Sequence, residues 1–149
     1  MAEKHQPVVL AVIEILKDIS LSDIVESTCK RLVSFGLEPV ENDAYLIAFS
    51  IQKSAAHVLT ATNQSKVPSG LFNVVVDMSC GEILDSLHKT GQLSFNNLCF
   101  DGIVSSIKEG DTQVSFDKAG SDEEKINVLI KNLIYGRERD LICFRKLRW

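Results

Sequence analysis

The side chains of this chain best equipped to grip something outside it are the last six, Phe144-Arg145-Lys146-Leu147-Arg148-Trp149. Three cations set between two aromatics are poorly suited to a core and well suited to docking, because Arg and aromatic residues concentrate at the energetic centres of protein interfaces. The plainer reading is that Trp149 and Leu147 fold back onto their own domain while the charges stay in water. Termini stay mobile unless something ties them down, and both readings stand at this point.

Charge sharpens the picture. Residues 137–149 hold five of the 16 Lys/Arg and two acids, a local balance of +3, which leaves −7 on residues 1–136 out of the total of −4. A basic tail on an acidic body points to an acidic partner, either a protein or a nucleic acid.

Catalytic chemistry is harder to find. Cys29, Cys80, Cys99 and Cys143 are far apart and form no CxxC pair, and His5, His57 and His88 do not supply zinc-ligand spacing. Free thiols, buried or half-buried, are the expectation. Asp77 and Glu82 are five residues apart and fall on different faces of a helix, so they make no carboxylate pair. His57 reads as a boundary residue, and nothing marks Cys80 as an activated thiol. Gly91-Gln92 and Gly110-Asp111 are isolated turns, not a phosphate-cradling glycine loop. Neither an enzyme nor a metal or cofactor site is expected.

The elements that must position the tail are mostly helical. Pro7 suits a helix start, with Val8, Val9, Val12, Ile13, Leu16 and Ile19 as its apolar stripe. A second helix, capped by Ser20 or Ser22, carries Leu21, Ile24, Val25, Leu32 and Phe35 and stops at Gly36, before Pro39. Asn42 is the expected cap of a third helix, whose alanines suggest close contact with a neighbour and which ends at the Thr-Asn-Gln-Ser run 62–65. Pro68 opens a fourth. Val74-Val75-Val76 could be a buried strand, but the flanking period favours a helix, and Gly81 inside it implies a close approach. Ser121 and Glu124 form a capping box for the best-marked helix, with Ile126, Leu129, Ile130, Leu133 and Ile134 facing inward until Gly136.

Between Thr90 and Gly120 the helical period fails, and Thr112-Gln113-Val114-Ser115-Phe116 alternates like a strand. So long a non-helical stretch is usually functional or flexible. The expectation is an all-α, small bundle of about five helices. It has one domain over 1–149: a helical body at 7–89 and 121–135, a β-hairpin-like or irregular arm at 90–120, and a short basic helix or extended tail at 137–149. At this length the chain can bury a core without staples. The stretch after Met1 is polar and lacks the pattern of a leader, and Val8 to Leu16 is too short to cross a bilayer, so a soluble cytoplasmic protein is expected.

Several segments together resemble the head–tail connector (adaptor, head-completion) proteins of long-tailed bacteriophages and prophages. They are Val67-Pro68-Ser69-Gly70-Leu71 with Val75, Asp77, Met78 and Gly81-Glu82, and Ser106-Ile107-Lys108-Glu109-Gly110-Asp111-Thr112-Gln113-Val114-Ser115-Phe116. Asp122-Glu123 before Leu129-Ile130, then Gly136-Arg137, and the Phe144–Trp149 end complete the pattern. The likeness covers roughly residues 42–149 and is specific in combination, each piece being weak alone.

The resemblance implies a virion protein at the neck, made in the host cytoplasm, that forms a ring, typically a dodecamer, beneath the portal. Such a ring extends the DNA channel and offers a platform to a neck or tail-completion protein. It implies that Phe144, Arg145, Lys146, Leu147, Arg148 and Trp149 bind the portal. It also implies that Ile107, Lys108, Glu109, Asp111, Val114 and Phe116 of the arm contact neighbouring copies, while genomic DNA passes without sequence recognition. No cofactor and no membrane are involved. The alternatives are a helical nucleic-acid-binding regulator using the basic tail, or another neck or tail-completion protein.

Overall fold

A computed structural model describes residues 5–99 and 121–147. Its first helix, α1 (Gln6–Leu16), begins with Pro7 in the first turn, where the missing N–H costs nothing. Lys17 ends it in the left-handed region, its N–H reaching Ile13 O at 2.9 Å. A short 3-10 turn (Ile19–Leu21) then leads into α2 (Ser22–Ser34), so the two first helices are separate. Ile24, Val25, Cys29 and Leu32 make the buried face of α2, and Phe35 just beyond it is fully buried.

Gly36 follows at φ +90°, the left-handed stop that its position suggested. It also permits a second feature. Cys99 N donates to Phe35 O at 3.0 Å, and a Cβ on Gly36 would run into the Asn97 carbonyl. The chain at 94–99 is therefore laid across the end of α2, with Leu98 buried and Leu93 and Phe95 packed on the core.

This corrects the expected arm at its root. Residues 90–99 form a 3-10 turn (Phe95–Asn97) against the body and do not leave it, because three apolar side chains there find cover. No strand occurs among the described residues, so the hairpin is not supported. Residues 100–120, with Ile107, Lys108, Glu109, Asp111, Val114 and Phe116, lie outside the described part.

The third helix, α3 (Ala44–Thr62), is not capped by Asn42. A 3-10 turn (Glu41–Asp43) precedes it, and the carboxylate of Asp43 takes the Val40 N–H at 3.0 Å, closing the entry turn. Ala44, Ala48, Ser50, Ser54 and Ala55 are buried along α3, which is why α1 and α4 can both press against it. Asn63, at φ 52°, ends the helix. Pro68 starts a 3-10 turn (Ser69–Leu71) one step before α4 (Phe72–Lys89).

α4 is the axis of the bundle. Val74, Val75 and Val76 are helical and buried, and the helix packs on α2, α3 and α5 (Asp122–Tyr135). A helix covered on several sides needs apolar residues nearly all round, which explains the valine run. A Cβ on Gly81 would lie 2.7 Å from Ile134 Cγ1 and 3.0 Å from Leu133 Cβ, so glycine lets α5 seat there. Ser121 Oγ accepts from Glu124 N at 3.3 Å, and Ile126, Leu129, Ile130 and Leu133 are buried, as the period predicts. After Gly136 a short helix, α6 (Glu138–Cys143), returns along α3 with Leu141 buried.

Candidate docking surface

The end of the chain is built onto the turn that closes α3. Lys146 N donates to Thr62 O at 2.8 Å, Asn63 Nδ2 donates to Lys146 O at 3.1 Å, and Gln64 Nε2 donates to Phe144 O at 2.7 Å. Phe144 N and Arg145 N donate back to Leu141 O and Ile142 O. The Phe144 ring sits over Gly70, where any Cβ would collide with it. These contacts form a clasp: residues 62–64 hold the main chain of 144–146 in one path, and Gly70 seats the Phe144 ring.

Several neighbouring side chains point the other way. Ile142 is 72% exposed and Leu147 69%, while Phe144 keeps about a third of its surface in water. Arg145 and Lys146 are exposed, with no ion pair among the described residues. The main chain at this end folds back on its own domain together with the Phe144 ring, while Leu147, Arg145 and Lys146 face outward. Arg148 and Trp149 lie outside the described residues.

The clasp residues Thr62, Asn63, Gln64 and Gly70 carry no motif. The Thr-Asn-Gln-Ser run signals only a helix end. Ile142 is equally silent, because the short apolar run Leu141-Ile142-Cys143-Phe144 has no period to betray which of its members faces outward.

Elsewhere the chemistry-bearing residues are dispersed. Asp77 faces Arg31 of α2, 3.4 Å from its Nε, whereas Glu82 faces Lys53 of α3 at 2.7 Å. The two carboxylates are on different faces, as their spacing dictates. Burial pushes the Asp77 carboxyl up, against the pull of the Arg31 and Arg137 guanidinium groups.

The thiols divide in two. Cys29 and Cys80 are buried; burial, aided by the Glu26 charge, raises Cys29 to about 11, and burial raises Cys80 further. Cys80 Sγ lies 3.8 Å from Thr28 O. Cys99 and Cys143 are exposed, not covered as expected: Cys99 lies past the Phe95–Asn97 turn and Cys143 is the last residue of α6. His57 is exposed on α3, and His88 lies 4.0 Å from Glu123. Among the described residues no group of three His, Cys, Asp or Glu could hold a metal, and no helix is long and apolar enough to cross a membrane.

No family model, no curated protein and no solved structure matches this chain.

Proposed function

We propose that this chain is a structural connector of a tailed-phage virion, a ring subunit that docks beneath the portal through its carboxy-terminal residues. The observation that carries the reading is the clasp, whose main chain is fixed while Ile142, Leu147, Arg145 and Lys146 are presented outward. A segment already held in one path loses little freedom on docking, so more of its contact energy appears as affinity. Ile142, Phe144 and Leu147, continuing to Trp149, supply apolar anchors, and Arg145, Lys146 and Arg148 pair with acids on the portal.

Many such tails act together in a ring. Each is weak alone, and linked contacts gain from high effective concentration. Head-to-tail contacts between copies close through rotation. In this reading the arm reaches neighbouring copies through Ile107, Lys108, Glu109, Asp111, Val114 and Phe116. The ring is dodecameric, DNA slides through it past an acidic body, and a neck or tail-completion protein binds below. No reaction is catalysed.

The test is portal attachment by the full chain and by the double variant Ile142→Asp/Leu147→Asp. Both side chains lie outside the core, so the variant keeps the clasp and the melting temperature. Attachment should fall at least about tenfold, as expected when interface anchors are lost. Attachment equal to wild type would refute the docking surface.

A further inference from the structure

A cleft of about 500 Å3 opens between α2, the first half of α4 and the turn joining α5 to α6. α2 presents Ser27, Lys30, Arg31 and Ser34 to it, a spacing that puts all four on one helix face. Asn73 and Asp77 face them from α4, and Arg137 closes the end. Three cations from two separate parts of the chain therefore meet one carboxylate.

The cations are not equally committed. Lys30 holds Glu26 at 2.6 Å and Arg137 holds Asp140 at 2.5 Å. Both are exposed pairs within one helical stretch, worth little in water, so both cations are free to turn to a stronger anion. Arg31 is different. Its guanidinium lies over the Phe35 ring at 5.0 Å, and its Nε is sealed from solvent without a hydrogen bond, 3.4 Å from Asp77 Oδ1. Its side chain is still 33% exposed at the cleft, so the guanidinium can be reached from there. Burial works against the charge on Asp77, in part offset by the Arg31 and Arg137 guanidinium groups.

We propose that this cleft is a phosphate-binding site, in which Arg31 forms the floor, Lys30 and Arg137 close over the oxyanion, and Ser27, Ser34 and Asn73 add neutral donors. Donors arriving from both walls and the end suit a tetrahedral oxyanion better than a planar carboxylate, which one guanidinium fork satisfies. The phosphate can be free phosphate or a phosphodiester of the DNA backbone. The inference does not rest on portal docking.

The experiment follows amide shifts of the 15N-labelled full chain during titration with sodium phosphate, at ionic strength matched by chloride. Shifts should gather at residues 27–34, 73–77 and 137, with a dissociation constant on the order of 1 mM. Lys30→Gln/Arg137→Gln should weaken binding about tenfold, the scale of losing charge-assisted hydrogen bonds. Asp77→Asn, which removes the competing carboxylate, should tighten it, a gain that a merely structural role would not produce.

A short duplex that moves the same amides assigns the DNA backbone, and a duplex without effect there assigns free phosphate; both uphold the site. No response beyond chloride, an equal response to acetate, or wild-type affinity in the double variant would overturn it.

Discussion

Replacing Gly81 by alanine sets two opposing effects against each other, and the structure decides between them. Alanine in a helix interior is favoured over glycine by about 1 kcal/mol. The new Cβ, however, would lie 2.7 Å from Ile134 Cγ1, 3.0 Å from Leu133 Cβ and 3.3 Å from Ile134 N. Ile134 Cγ1 can rotate away, but Leu133 Cβ and the Ile134 main chain move only if α5 moves. Overpacking of this kind costs about 1–3 kcal/mol.

With two of the three neighbours stiff, the cost falls in the upper part of that range, giving a net loss of about 1–2 kcal/mol. For a domain of this size that is a fall in Tm of roughly 3–8 °C. Thermal unfolding followed by far-UV circular dichroism reads it directly. The double variant Gly81→Ala/Ile134→Ala removes the Cγ1 contact, so its loss should be smaller than the sum of the single losses, by about 1 kcal/mol. A Gly81→Ala protein that melts at or above the wild-type temperature would refute the argument that glycine is there to seat α5.

Other consequences concern the thiols and Asp77. Two of the four cysteines, Cys99 and Cys143, should react at once with an aromatic disulfide reagent, while Cys29 and Cys80 react only as the protein unfolds; four fast thiols would contradict the packing. The folded Asp77 carboxyl keeps its proton to higher pH than the unfolded one. The native state therefore gains stability as pH falls from that shifted value toward the ordinary value of 3.8, and loses it as pH rises back. In urea unfolding across that window, Asp77→Asn should lose this slope and be at least as stable as wild type near neutrality. A loss above about 2 kcal/mol at neutral pH would show instead that the Arg31 pair stabilises the fold.

How much of this was legible beforehand depends on how local each signal is. The α5 stripe, its Ser121 cap and the Gly36 stop are set by a few adjacent residues, and they stand where the sequence put them. Gly81 was readable too, because a glycine inside an otherwise good helix implies a neighbour. Local rules misled at Asn42, where the neighbouring Asp43 closes the turn instead.

The sequence was mute where partners lie far apart along the chain. Cys99 on Phe35, Phe144 on Gly70 and Gln64 on the Phe144 carbonyl are tertiary contacts that no pattern announces. For that reason residues 90–99 read as an arm, and the sequence leaves open whether the tail folds back. The outward charges of Arg145 and Lys146, by contrast, could be anticipated from their clustering.

The central claim is tested most directly by a reconstruction of the virion neck with this chain in place. The account predicts density for residues 144–149 seated in the portal, with Ile142 and Leu147 covered and the link from Lys146 to Thr62 retained. Ile142 and Leu147 facing solvent in the assembled neck, with the tail touching only its own subunit, would contradict it.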